Sequence, residues 1–166
     1  MDLATWLYYT GSVQSVHAVD SNRQRRFVGS FGALHPAHIL LGTPHSEWYA
    51  YLSEEHALGR LNVNADAAGE LRRRAMQLFN APEAILVALL SDEDLVANYY
   101  GNGSTLVLRD AGVLLGHAAL VAAAIGIAFR ILGFTGSTPL EQLVCDLPFR
   151  SKASGLAFVG SLADLR

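Results

Sequence analysis

Residues 29–42 read GSFGALHPAHILLG, so flexible turn residues lead directly into an apolar segment. Gly29 and Gly32 bracket the start of the turn, and glycine either supplies a positive φ or lets a backbone approach a flat surface closely. The run HILLG at residues 38–42 is typical of a buried strand. The stretch therefore predicts a turn followed by a strand. The glycines of the turn either adopt positive φ or allow the backbone to lie close to a flat ligand.

The composition limits the classes of protein that fit. Of the 166 residues, 51% are hydrophobic and 16% are charged. This length predicts a single domain over residues 1–166. So apolar a chain is expected to place part of its surface against another subunit or a ligand. The net charge of −3 argues against nucleic-acid binding, since proteins of that class carry basic surfaces.

Lysine and cysteine each occur only once in the sequence, and this excludes two kinds of feature. Lys152 is the only lysine and follows no glycine-rich loop, which excludes a Walker-type phosphate loop. Cys145 is the only cysteine, so no internal disulfide forms and a cytoplasmic, reducing compartment is expected. The amino-terminal segment lacks the basic region of a signal peptide.

One segment is long and apolar enough to raise the question of a membrane. Residues 111–129 contain 19 residues without a formal charge, and Gly112 and Gly116 form a GxxxG step. Ten of these residues are Ala or Gly and His117 lies near the middle, which disfavours membrane insertion. We therefore expect a helix over about residues 106–127 that other helices or a second subunit cover, rather than a transmembrane helix.

The remaining pattern indicates strands and helices in an α+β order. Helices are predicted at residues 3–9 with Asp2 as cap, at 66–79, and at 138–147 with Thr138 as cap. Strands are predicted at residues 38–42 and 47–52 as a hairpin, at 84–90, near 130–134, and at 155–161.

No general catalytic or metal motif is present. His35 and His38 are separated by Pro36, and no HExxH or cysteine pair accompanies them, so no metal site is predicted. The segment VGSFG lacks the first glycine of a hydrolase elbow. GNGSTL at residues 101–106 lacks the third glycine of a dinucleotide loop. From these patterns alone, the chain is an apolar α+β domain that is expected to be oligomeric.

The order of several short segments carries a family resemblance. RFVGSFGALHPAHILL is followed by EWYAYLSEEHALGRL, then NAPEAILVAL, then NYYGNGSTLVLRDAGVLLGHAALVAAAIGIAFRILGF. This order resembles the SagB-type nitroreductase-like dehydrogenases, flavin enzymes that oxidise azolines to azoles in ribosomally made peptides. The matching residues are Arg26, Ser30, Gly32, Ala33, Leu34, His35 and Pro36; Tyr49, Tyr51, His56, Ala57 and Leu58; and Tyr100, Gly101, Asp110, Ala111, Gly112, Gly133 and Phe134.

The resemblance implies an α+β, nitroreductase-like fold with a mixed or antiparallel sheet flanked by helices. It also implies a homodimer through helix 106–127, or a heteromer with another biosynthetic subunit, that acts on a peptide substrate. Two FMN molecules are expected at the subunit interface, and the implied chemistry sends a hydride to the flavin while a base takes a proton. The implied proton acceptor is Tyr100 or Tyr99. The implied FMN-binding residues are Arg26, Ser30, Gly32, Ala33, Leu34, His35, Gly133 and Phe134.

Several positions depart from the family pattern. Tyr99 stands where the family has a lysine, Gly103 where it has an arginine, and Ser161 where it has a basic residue. The family's amino-terminal helix, whose basic pair grips the FMN phosphate, has no counterpart, so a shortened form of the fold is expected. These departures leave an alternative open: a flavin-less nitroreductase-fold protein that acts as a non-redox enzyme, a peptide-binding module or a partner subunit. Possible substitute cations for a phosphate are Arg25, Arg26, Arg130, Arg150 and Lys152.

Overall fold

The computed structural model describes residues 2–165 and contains a six-stranded antiparallel sheet in the order β5–β4–β3–β6–β8–β7. A separate two-stranded hairpin, β1–β2, lies outside this sheet. The strands are β1 Val13–Val16, β2 Gln24–Arg26, β3 Ala37–Gly42, β4 Trp48–Leu52, β5 Ala57–Leu61, β6 Ile85–Asp92, β7 Ala128–Ile131 and β8 Ser151–Gly160. The helices are α1 Leu3–Gly11, α2 Ala65–Leu78, α3 Glu93–Ala97 and α4 Gly103–Ile125. The predicted α+β class is confirmed.

The sheet separates two hydrophobic clusters, because successive strand residues point to opposite faces. In β3, Ile39 and Leu41 join the cluster under α1 and α4, whereas Leu40 joins the cluster under α2. Strands β6 and β8 divide in the same way, with Val87 in the first cluster and Leu86 in the second. Helices therefore cover both faces of the sheet, and α4 lies on the face that concerns the candidate site.

Helix α4 buries one face and exposes the other. Its buried residues follow helical spacing and include Asp110, Ala111, Leu114 and Ala118. On the opposite side Leu120 is 72% exposed. By length and composition alone α4 could cross a membrane, but its buried face packs as a core helix against α1 and the sheet. The helix ends at Gly126 in the left-handed conformation, which is a common helix terminator.

Residues 138–147, predicted as a helix, form a series of turns instead. Thr138, the predicted cap, has a φ of 69°, whereas a helix N-cap normally has extended backbone. Leu140 and Leu143 in this segment are completely buried against the α2 side of the sheet. Their burial explains the apolar spacing that imitates a helix in the sequence.

Candidate functional site

The turn at residues 29–36, here called the glycine turn, is held in place by a buried carboxylate on α4. Ser30 Oγ donates to Asp110 Oδ2 at 2.5 Å, and the Phe31 N–H donates to Asp110 Oδ1 at 3.0 Å. The Ser30 hydroxyl in turn accepts the His35 N–H at 2.9 Å. Asp110 is only 6% exposed, so a charged group is desolvated and both of its oxygens are used. The carboxylate fixes the shape of the turn relative to α4.

The backbone of the glycine turn is strained. Gly32 has a φ of 64°, and two residues with side chains, Ala33 and His35, have φ values of 59° and 48°. Left-handed backbone at residues other than glycine costs about 1–3 kcal/mol each and is concentrated at ligand-binding and catalytic sites. The hydrogen bonds that Asp110 accepts from Ser30 and Phe31, and that Ser30 accepts from His35, offset this cost.

Gly32 is also crowded from outside the turn. A Cβ at this position would collide with the Tyr100 hydroxyl, and the Arg23 Nη1 atom lies on the same side. Arg23 Nη1 donates to the Gly32 carbonyl at 2.9 Å. Tyr100, on the segment between α3 and α4, thus touches the turn directly, and a side chain at position 32 would require Tyr100 to move.

His35 connects the glycine turn to strand β2. Its Nε2 lies 3.0 Å from the Gln24 carbonyl oxygen, so the neutral ring donates from Nε2. Burial, and then the positive charge of Arg26, lower the pKa of His35 to about 4. His35 is therefore an uncharged structural link near neutral pH.

A second network joins Tyr99 to the hairpin. The Tyr99 hydroxyl donates to the Asp20 carboxylate at 2.8 Å, and Asp20 also forms an ion pair with Arg23 at 3.0 Å. The Tyr99 hydrogen bond, together with Arg23, lowers the pKa of Asp20. The Arg23 guanidinium stacks over the Tyr99 ring, with its central carbon 5.1 Å from the ring centroid. Tyr99 therefore positions Arg23, which in turn holds the Gly32 carbonyl.

The hairpin and the glycine turn enclose an open cavity of about 700 Å³, here called the arginine groove. Its lining residues are 15–18, 23–26, 28–30, 32, 33 and 35. The groove combines a wall of small residues from the turn with three arginines from the hairpin. Within residues 2–165, no cluster of three or more His, Cys, Asp or Glu side chains could hold a metal ion.

Arg26 occupies the groove without an acidic partner. Its guanidinium donates to Gln24 Oε1 at 2.6 Å and to the Gly11 carbonyl at 3.3 Å, and it forms no ion pair with the described residues. Burial lowers the pKa of Arg26 to about 10, against the opposing influence of Tyr51 and Glu54. A partly desolvated cation with only neutral partners is suited to an anionic ligand.

The structure brings most of the sequence-predicted site residues together. Arg26, Ser30, Gly32, Ala33 and His35 line the arginine groove, and Tyr100 touches Gly32. Leu34 is buried and does not line the groove.

Gly133 and Phe134 lie outside the groove of the same chain. Phe134 packs against the cluster on the α2 side of the sheet, which is the face opposite α4. Neither residue is among those that line the groove.

Sequence reasoning assigned no role to Asp110, Asp20 or Arg23. Asp110 was matched to an acidic family position, and it is the only acid in α4. A lone carboxylate on the buried face of an apolar helix is a usable signal, because buried charges require partners. Asp20 and Arg23 lie in a polar hairpin loop, where nothing in the local sequence distinguishes them from solvated residues.

Comparisons with known proteins place this geometry in a fold class. No protein-family model and no curated protein matches the sequence. A solved candidate nitroreductase from Anabaena variabilis matches with a TM-score of 0.79 and 18% identity, over 97% of this chain and 34% of that chain. A candidate nitroreductase from Ralstonia eutropha matches with a TM-score of 0.67 and 13% identity, over 96% of this chain and 71% of that one.

The third structural neighbour is a peptide-binding assembly. The Escherichia coli microcin synthetase McbBCD complex with truncated pro-MccB17 bound matches with a TM-score of 0.73 and 18% identity, over 96% of this chain and 62% of that chain. At these identities the likeness concerns the fold. The fold is nitroreductase-like, as the resemblance implied, and this chain spans about a third of the first neighbour's length.

Proposed function

We propose that the protein is a cytoplasmic, FMN-dependent oxidoreductase of the SagB type that dehydrogenates an azoline ring in a ribosomally made peptide. The observation that carries the proposal is the strained glycine turn, which Asp110 holds against the arginine groove. The nitroreductase-like fold supports the redox class. The McbBCD neighbour, a microcin synthetase with truncated pro-MccB17 bound, supports the peptide substrate.

The residues of the groove fit FMN in size and in chemistry. Small-molecule sites typically enclose roughly 300–1,000 Å³, and the groove encloses about 700 Å³. Gly29, Gly32 and Ala33 give a wall with little side-chain bulk, as a flat ring system requires, and a Cβ at Gly29 would meet only open space. Arginine is the side chain best matched to a phosphate group.

FMN, when bound, would accept the hydride released by azoline oxidation, and O₂ would reoxidise it. The part that this chain performs is proton transfer and positioning. The Tyr100 hydroxyl makes no hydrogen bond to the described residues and therefore keeps its oxygen available to accept the substrate proton. Arg23, on the same side of Gly32, supplies a positive charge that would attract the developing phenolate.

Tyr99 is assigned a positioning role beside Tyr100. Its hydroxyl proton is directed to Asp20, and it also accepts a hydrogen bond from the Asn22 amide at 3.2 Å. The hydrogen bond to Asp20 holds the carboxylate that pairs with Arg23, and Arg23 donates to the Gly32 carbonyl.

A second copy of the chain is proposed to complete the site. Because Gly133 and Phe134 lie outside the groove of their own chain, a flavin in contact with both segments needs one of them from a partner. The exposed face of α4 offers a surface for this contact, since Gly112 and Gly116 lie on it and allow two helix backbones to approach closely. A heteromer through the same face is the alternative.

A flavin-less protein that binds a peptide in the groove is the second candidate function. The position of Gly133 and Phe134 favours this second candidate, because in a single chain only the glycine turn, and not these two residues, would contact a flavin in the groove. The two candidates separate on one experiment: the purified protein is incubated with FMN, desalted, and its visible spectrum recorded. Retained flavin absorbance supports the oxidoreductase. A colourless protein after incubation with excess FMN excludes it.

A further inference from the structure

We propose that Arg25 and Arg26 on β2 form the phosphate-binding subsite of the arginine groove, which takes the terminal phosphate monoester of the cofactor. The inference rests on the proposed function and deepens it, because it says which side chains hold the charged end of the ligand. It follows from the geometry of the hairpin and from the balance of charges around the groove.

The β1–β2 hairpin, which carries both arginines, contains a β-bulge. Arg26 pairs with Val13 and Arg25 pairs with Ser15, so Gln14 is an extra residue on β1. Neighbouring residues of a regular strand point to opposite faces, and the bulge on β1 increases the local twist of the pair. Arg25 and Arg26 are consecutive, yet both line the groove.

These two arginines have no ion-pair partner among the described residues. Arg23 is paired with Asp20. Glu54 accepts a hydrogen bond from the neutral Gln24 amide and raises the pKa of Arg26 by its charge, but it forms no ion pair with Arg26. Arg25 and Arg26 form no ion pair with the described residues. His35, with its pKa at about 4, adds no charge near neutral pH. The groove therefore presents two arginines without an ion pair, and such a pair suits a phosphate dianion.

The other cations considered for this role are placed elsewhere. Arg130 stacks over Phe79 at 4.9 Å from the ring centroid, on the α2 side of the sheet. Arg150 forms an ion pair with Glu93 at 3.1 Å. Lys152 lies in β8, opposite Ser91, and does not line the groove.

The test compares two ligands that differ only in the phosphate. Binding of FMN and of riboflavin is measured by quenching of flavin fluorescence on the full-length protein, for the wild type, Arg25→Gln, Arg26→Gln and the double variant. We expect the wild type to prefer FMN, and each substitution to weaken FMN binding about 10- to 100-fold while riboflavin binding stays the same. Arg26→Lys keeps the charge and should retain part of the preference.

Arg130→Gln is the matched control, since it removes an arginine outside the groove and should leave both affinities unchanged. Arg25 is exposed, so Arg25→Gln tests the subsite without disturbing buried packing. Equal binding of FMN and riboflavin by the wild type would overturn the subsite while leaving the proposed function intact. A phosphate preference that survives in the double variant would overturn it as well. Failure of both ligands to bind would instead remove the proposed function, and the subsite with it.

Discussion

Ser30 and Asp110 are 80 positions apart in the chain, yet the serine hydroxyl donates directly to the buried carboxylate on α4. The same carboxylate accepts the Phe31 N–H, so one acidic side chain sets both the start and the direction of the glycine turn. A core helix thereby determines the shape of the wall that faces the arginine groove.

A double-mutant cycle measures this relationship. Ser30→Ala, Asp110→Asn and the double variant are unfolded in urea, and the free energies of unfolding are compared. We expect a coupling energy of about 1–3 kcal/mol, because the hydrogen bond involves a desolvated charge. Additive effects of the two substitutions would show that the hydrogen bond between Ser30 and Asp110 does not contribute to stability.

Glycine at position 32 is predicted to be essential for the turn. Gly32→Ala introduces a Cβ at positive φ and against the Tyr100 hydroxyl, which should destabilise the protein by about 1–3 kcal/mol. Gly29→Ala is the matched control, since a Cβ there meets open space. Thermal unfolding of both variants checks the difference. Equal melting temperatures would contradict the structure of the turn.

The pH dependence of stability is predicted to contain a contribution from His35. Its pKa in the folded protein is about 4, below the ordinary histidine value of about 6.5, so on acidification the unfolded chain takes up the proton first. The stabilisation is fully present above about pH 6.5 and is lost as the pH falls towards 4. His35→Asn cannot titrate there and tolerates positive φ. The difference in free energy of unfolding between His35→Asn and the wild type should therefore change between about pH 6.5 and pH 4. A difference that stays constant over this range would contradict the low pKa of His35.

The exposed face of α4 is predicted to be the subunit contact. Gly116→Leu places a large side chain where two helices should meet closely, and it should convert the assembly to monomers in sedimentation velocity. Gly69→Leu on α2 is the matched control, because Gly69 is also an exposed helical glycine with open space around it. If Gly116→Leu sediments as the wild type does, α4 is not the contact.

Tyr100 and Tyr99 are predicted to respond differently to loss of the hydroxyl. Tyr100→Phe should abolish azoline oxidation, followed by mass spectrometry of the peptide, while FMN binding is kept. Tyr99→Phe removes the hydrogen bond to Asp20, so it should raise the pKa of Asp20 and weaken the hairpin, with a smaller loss of turnover. Full activity of Tyr100→Phe would exclude it as the proton acceptor.

The sequence predicts those strands and helices whose buried residues form a recognisable apolar pattern. Strands β3, β6 and β8 appear as apolar runs because both of their faces are buried. Helix α4 appears as a long apolar segment because one wide face of it is buried. The edge strand β5 is short and largely exposed, and the hairpin β1–β2 is short, exposed and rich in polar residues, so no alternation of buried and exposed residues marks them. The same reason explains the error at residues 138–147, where buried leucines in turns have helical spacing.

The candidate site likewise contains some residues that the sequence identifies and some contacts that it does not. The resemblance locates the glycine turn and Tyr100 by local sequence, since their residues are contiguous or adjacent. The Asp110 link, the Tyr99–Asp20–Arg23 network and the free charge of Arg26 depend on contacts between distant segments, and only the folded structure reveals them.

FMN binding by the arginine groove is measured by an equilibrium titration of the purified wild-type protein with FMN, followed by desalting and the visible spectrum. Flavin absorbance is expected to stay with the protein at up to one FMN for each chain. Gly32→Ala, which distorts the wall of the groove, is expected to release the flavin, whereas Gly69→Ala on α2, outside the groove, should retain it. A wild-type protein that elutes without flavin after saturation with FMN would contradict the account.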